Sequence, residues 1–337
     1  MSQMIGKQSI SFKQCPYILS SGSVAGKKEG EGPLGKCFDM ICQDDKFGAD
    51  SWEEAESTMQ KEAAALAMGK AHVKPEEVRY VFAGDLLGQT IATSFGIMNY
   101  NIPLFGLYGA CSTAGESMSL AAMCVAGGYA DLALAMTSSH FASAEKQFRF
   151  PLEYGNQRPV SATWTVTGSG AFLIGTRKSH VKITGVTTGR IVDYGIRDSM
   201  NMGAAMAPAA CDLIAHHFED FQRKPEDYDK IITGDLGYVG RQILLDLLKE
   251  KGFDISGIYT DCGIEIFDKD TQGTDSGGSG CGCSAITMSA HFLPHIEKGV
   301  LKRVLFVPTG ALLSTVSFNE GQNVPGIAHG VVLEYEE

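Results

Sequence analysis

No apolar stretch in this 337-residue chain approaches the ~18 residues that a membrane-crossing helix needs, and the opening "MSQMIGKQSISF" lacks the apolar core of a signal peptide. A soluble protein, or one held at a membrane through partners, is therefore expected. Positive charge is also scarce: 28 Lys and Arg stand against 39 Asp and Glu, a net charge of −11. That balance excludes a broad nucleic-acid or anionic-lipid surface, so a small anion must be bound locally. The nine cysteines are odd in number and lack metal spacing except "CGC" at 281–283, which no second Cys or His pair accompanies. No metal site is expected, and a reducing compartment fits better than a disulfide framework. The segment 20–35, "SSGSVAGKKEGEGPLG", lacks the Gly-Lys-Ser/Thr ending of a phosphate loop and reads as a surface loop or dimer-edge arm. Nor does a Pro/Ser-rich connector appear near residue 178.

What is present is a duplication. Residues 75–86 read "PEEVRYVFAGDL", and 150 positions later residues 225–236 read "PEDYDKIITGDL". A weaker match, offset by 172, lays "GACSTAGESMSLAAMCVAGG" (109–128) over "CGCSAITMSAHFLPHIEKGV" (281–300), with Cys111 on Cys283. Two halves on one plan, 1–178 and 179–337, are the simplest account. Helical periodicity is read over 52–72, 113–127, 204–221, 239–251 and 284–298. Strands are read at 78–83, 103–108, 131–137, 181–192, 229–233, 303–308 and 327–335, and paired strands over 161–176. Strands alternating with helices imply mixed sheets covered by helices on both faces, a layered α/β protein with pseudo-twofold related halves.

Cys111 holds the most chemistry. The run "IPLFGLYG" (102–109) reads as a buried strand, and Thr113-Ala-Gly-Glu116 has the pattern of a capping box. A thiol just ahead of a helix start should have a depressed pKa. Strand-"ACST"-helix resembles the nucleophile turn of the thiolase superfamily, whose duplicated five-layer αβαβα fold is thereby implied. In that superfamily the segments matching "GSGCGCSA" (278–285) and "IITGDL" (231–236) carry His or Asn. Here Ser279 stands at the first position and Gly234 or Asp235 at the second, and none of the eight histidines falls in either motif. Claisen chemistry needs a proton acceptor and oxyanion donors, so a binding role gains over catalysis.

Motifs along nearly the whole chain, among them "EGPLG" (31–35), "QFRFPLEYG" (147–155), "DSMNMGAAMAPAA" (198–210), "TGALLS" (309–314) and "IAHGVV" (327–332), resemble the stage V sporulation AD family. The resemblance implies a protein of spore-forming bacteria that binds dipicolinic acid, free or as its calcium chelate. It also implies a homodimer that works with other stage V sporulation membrane proteins, peripherally at the spore inner membrane, with no cofactor beyond calcium brought by the ligand. The alternative is an acyltransferase or thioesterase with Cys111 as nucleophile. A flat dianion needs apolar walls and a few cationic or N–H donors. Candidate ligand-binding residues are Cys111 and Ser112 in the turn, and Ser279 and Cys283 in the mirrored Gly-rich turn. His140 lies after the next strand, Arg149 sits between two phenylalanines, and His329 is in the final strand. Asp85 and Asp235, the acids of the repeated Gly-Asp-Leu, complete the set. As carboxylates they would suit calcium, although a cap role suits them better. Lys146 and Arg158 are further cations near Arg149.

Overall fold

The computed structural model describes residues 3–155 and 157–337, and its frame is one strand plan used twice. In the first sheet β1 (Tyr17–Ala25), β2 (Tyr80–Gly84), β3 (Leu104–Leu107), β4 (Leu132–Ser139) and β5 (Gly168–Gly175) lie in the order β1-β5-β4-β2-β3. In the second, β6 (Val181–Thr188), β7 (Lys230–Thr233), β8 (Tyr259–Asp261), β9 (Arg303–Val307) and β10 (Gly326–Tyr335) lie in the order β6-β10-β9-β7-β8. Strand senses repeat too. β5 and β10 run antiparallel to both neighbours, and the pairs beyond them are parallel. The sheets join where Lys182 pairs with Tyr17. The repeated Gly-Asp-Leu segments thus end β2 and β7, strands in equivalent places. Even the preceding turns match: Glu77 Oε2 accepts from the Lys74 N–H at 2.8 Å, and Asp227 Oδ2 from the Lys224 N–H at 2.7 Å.

Side-chain alternation along the strands builds the layers, because successive residues of a strand face opposite ways. Phe82, Phe172 and Ile174 of the first sheet share a core with Phe306, Val331 and Leu333 of the second. Between the sheets lie α3 (Thr113–Ala126) and α7 (Cys281–Thr287), which contribute Met118, Ala122 and Ile286 to that core. The intervening positions, Val81, Leu134 and Leu173, face outward onto α1 (Trp52–Lys70). In the second sheet Ile231, Leu305 and Val332 do the same beneath α5 (Met202–Phe221) and α6 (Gly237–Glu250). Five layers result: helix, sheet, paired helices, sheet, helix. The shorter α2 (Ile91–Ile97) and α4 (Phe141–Phe148) follow β2 and β4. The helix predicted over 284–298 begins at Cys281, passes a π turn at Met288–Phe292 and ends as α8 (Leu293–Glu297). The central layer demands small residues. A Cβ on Gly170 of β5 would come within 2.6 Å of the Ala285 carbonyl carbon in α7.

Two expectations fail here. Residues 20–25 are not a surface loop; they belong to β1, a buried strand paired along its length with β5. Their serines are satisfied by tertiary partners, Ser20 donating to the Ala67 carbonyl at 2.6 Å and Ser23 to Asp39 at 3.1 Å. Only 26–35 remain as the connection, with a one-turn helix at Lys27–Gly30. The paired strands expected over 161–176 are not a hairpin either. Trp164–Thr165 pairs with Gly278–Ser279, while β5 pairs with β1 and β4.

Candidate ligand cavity at Cys111

After β3 the chain turns sharply through Ala110, whose φ of 48° lies in the left-handed region, and a single 3₁₀ turn carries Cys111 and Ser112 into α3. Ser112 Oγ donates to the Gly109 carbonyl at 2.6 Å, and Thr113 Oγ1 donates to the Ala110 carbonyl at 2.7 Å while accepting from the Gly109 N–H at 3.2 Å. Thr113 therefore ties the turn together and does not cap the helix. The expected capping box is absent, and Glu116 Oε2 is buried without a hydrogen-bond partner among the described residues.

This turn forms one end of a cavity of about 260 Å³. Cys111, Ser279 and Gly280 make its floor; Leu86, Tyr108 and Phe148 form one wall, and Met202 with Ala311–Leu313 another. Arg149, just past α4, is the cationic side chain among the lining residues. Its guanidinium donates to Glu145 Oε1 at 2.6 Å, and Arg158 donates to the same oxygen at 2.6 Å. Arg158 is further fixed by the Thr163 carbonyl at 2.9 Å and lies over the stacked rings of Phe141 and Trp164. Two cations on one buried carboxylate leave this wall with one net positive charge.

The floor is built around a carboxylate that the cavity does not expose. Asp235 Oδ2 accepts from Ser279 Oγ at 2.8 Å and the Gly280 N–H at 3.0 Å, and Oδ1 accepts from Thr309 Oγ1 at 2.8 Å. The Cys111 sulfur lies 4.0 Å from Ser279 Oγ, beside this carboxylate. The thiol's pKa consequently moves opposite to the expectation. Burial pushes it well above the usual thiol range, and the charge on Asp235 adds to the rise. The pull of a helix start is local and modest, whereas desolvation beside a carboxylate is large.

Of the residues singled out in the sequence, Cys111, Ser279 and Arg149 line the cavity, and Asp235 stands directly behind its floor. The others lie elsewhere. Ser112 faces back into its own turn. Cys283 is inside α7, donating to the Gly234 carbonyl at 3.6 Å, so the 172-residue offset does not make it the counterpart of Cys111. Asp85 holds the start of the next segment, accepting from the Leu87 and Thr93 N–H groups at 2.8 Å each. His140 is the N-cap of α4: Nδ1 accepts from the Ala142 N–H at 3.1 Å, and Nε2 meets the Asp45 carbonyl at 2.6 Å. His329 is buried in β10 and is not among the residues lining the cavity, and Lys146 pairs with Glu53. Among the described residues no cluster of three or more Asp, Glu, His or Cys is placed to hold a metal. Asp85 and Asp235 are both occupied by protein donors. Thr309, Tyr108 and Met202 went unnoticed in the sequence. Tyr108 adjoins the Cys111 turn and could have been found, whereas Met202 arrives from the first turn of α5 with no local signal.

A histidine outside the site supplies a test of the core. His217 of α5 is fully buried between Thr187 and Tyr228, and burial, reinforced by Arg223, pushes its pKa down to about 3. Its folded pKa lies below the unfolded value, so its contribution is present above about pH 6.5 and is lost as pH falls towards 3. Glu29 and Asp261, each raised to about 7 chiefly by burial, work in the opposite sense, so a difference between two proteins is needed. The stability gap between the native protein and His217→Gln should shrink by about 1.4 kcal/mol for each pH unit below 6.5. Denaturant titrations at several pH values measure it, and a gap that stays constant down to pH 4 contradicts it.

Residues 6–334 match the family described as "Stage V sporulation protein AD (SpoVAD)". The stage V sporulation protein AD of Bacillus subtilis (strain 168) is 43% identical over 332 residues, 98% of each chain. Solved structures are similar at far lower identity. The 3-oxoacyl-[acyl-carrier-protein] synthase III of Aquifex aeolicus VF5 superposes with a TM-score of 0.60 at 14% identity, covering 95% of this chain and 100% of that one. Cerulenin-bound OleA of Xanthomonas campestris gives 0.62 at 14%, covering 96% and 98%. The tetronic acid condensing enzyme AbyA1 gives 0.58 at 16%, covering 94% and 99%. At such identities the likeness concerns fold alone, and the fold is the thiolase-like one expected from the sequence.

Proposed function

The chain belongs to the stage V sporulation protein AD family, and from that premise we propose that the Cys111 cavity is a receptor for dipicolinate, whose capture supports loading of that compound into the developing spore. The observation that carries this reading is Arg149 at the wall of an otherwise mainly apolar recess. A flat aromatic ring suits such walls, and a carboxylate suits a guanidinium that neighbouring groups hold in place. Arg149→Gln keeps the length and removes the charge. It should weaken dipicolinate binding by about 1.5–3 kcal/mol, roughly 10- to 150-fold, read by isothermal titration. An affinity within twofold of the native protein would take Arg149 out of the account.

The strand-turn-thiol-helix arrangement also favours a second reading, acyl transfer on Cys111. Against it stand a thiol held neutral by burial and a carboxylate, Asp235, where a stronger base would be needed. Mass spectrometry after incubation with acyl thioesters separates the two: an adduct on Cys111 that turns over would establish catalysis.

We assign the outer edge of the first sheet to a second copy of the chain. β3 ends the strand order, and Leu104, Phe105 and Tyr108 on or beside it are exposed. An apolar open edge is an aggregation hazard unless it is paired. Phe105→Lys should convert a dimer to a monomer in sedimentation experiments; an unchanged mass would place the contact elsewhere.

A further inference from the structure

Resting on the dipicolinate reading, we propose that Asp235 is a specificity-determining residue that makes the cavity floor accept hydrogen bonds, so that a dicarboxylate is bound together with one proton. Ser279 and Cys111 are the two side chains that meet at the floor, their Oγ and Sγ 4.0 Å apart, and the Ser279 hydroxyl gives its proton to Asp235. What Ser279 turns towards the cavity is lone pairs, and a thiol is at best a weak donor. A carboxylate placed there finds no strong donor from either group and faces the Asp235 charge behind them. A ligand group that itself carries a hydrogen fits without change.

The charge inventory points the same way. Arg149 and Arg158 bring two positive charges, Glu145 and Asp235 two negative ones, so the walls sum to zero. A dianion would leave this largely apolar space two charges negative, which is costly, and one proton taken up with it halves that excess. One carboxylate finds its partner in Arg149. The second needs a proton taken from solvent: held on the ligand, it is donated to Ser279 Oγ; held on Asp235, it lets the Ser279 hydroxyl reverse and donate to the ligand. No bond other than O–H forms or breaks. The titratable groups around Asp235 do not supply a compensating cation: they are Cys111 on the turn, Cys281 and Cys283 on α7, and Asp261 at the end of β8 with Cys262 just after it. Thr309 and Gly280 complete its partners as neutral donors. Burial raises the Asp235 carboxyl from its ordinary value, which brings proton uptake closer to neutral pH.

Titration calorimetry of the full-length protein with dipicolinate, in buffers of different ionisation enthalpy, reads the proton directly. Uptake should be about one per ligand, with affinity falling about tenfold per pH unit on the alkaline side. The monoamide 6-carbamoylpyridine-2-carboxylate brings its own N–H donors, so it should bind with no uptake and no such slope. Asp235→Asn should remove the pH dependence for dipicolinate. Should that variant not fold, infrared difference spectra of the native protein labelled with ¹³C-aspartate must show a protonated carboxyl appearing with ligand. Dipicolinate binding without proton uptake, or equal pH slopes for diacid and monoamide, overturns this proposal and leaves the receptor reading standing. No dipicolinate binding at any pH removes the receptor reading itself, and this proposal with it.

Discussion

Cys111→Trp should abolish dipicolinate binding. The sulfur lies at the floor of a recess of about 260 Å³, and an indole directed into that space takes the volume a pyridine ring requires. The expected loss is at least about 100-fold, beyond 2.7 kcal/mol, because steric exclusion removes the whole ligand and not one contact. Removal of the thiol alone has little consequence for a receptor: Cys111→Ala should stay within about threefold of native affinity, since a buried methyl replaces a small apolar-like group. For an acyl-transfer enzyme the same alanine is fatal, so the pair of substitutions distinguishes the two readings. Leu313→Trp, from the opposite wall, provides an independent blockade should the tryptophan at 111 perturb folding. Native affinity in folded Cys111→Trp would place the ligand outside this cavity.

The second large effect is expected at Gly310, in the short strand Thr309–Ala311 that pairs with β10. A Cβ there would sit 2.4 Å from the Gly109 carbonyl oxygen and 3.0 Å from the Ser112 nitrogen. Both are backbone atoms of the Cys111 turn. The turn already spends conformational energy at Ala110, so it has little room to yield. Gly310→Val should destabilise the protein by about 3 kcal/mol or more and lower Tm by roughly 4 °C or more. Binding should fall with it, since the floor itself is displaced. Gly257→Ala, where no atom lies within 4 Å of an added Cβ, serves as the neutral control. If Gly310→Val melted with the native protein, the close approach that seats the turn would be disproved.

Part of this was legible because it is local. The repeated Gly-Asp-Leu segments mark β2 and β7, and alternation along residues such as Val81-Phe82-Ala83 is a property of adjacent positions. β1 was not legible. "YILSSGSVA" carries the glycine and serines of a loop, and what makes it a strand is that Ala67 and Asp39 receive its hydroxyls from other elements. The state of the thiol was not legible for the same reason. The residues flanking Cys111 in sequence describe a helix start, but what holds its proton is burial, reinforced by the charge of Asp235, which is remote along the chain.

By itself, then, the order of amino acids determined the repeated strand plan, the layering, the position of the thiol turn and the absence of histidine from 231–236 and 278–285. Periodicity and turn chemistry act between near neighbours, and the sequence records them directly. Only the tertiary structure decided which side chains share the recess, why the sulfur stays protonated and where a positive charge meets it. Desolvation and charge pairing depend on distances between segments that are remote along the chain, and those distances exist only once the sheets have stacked.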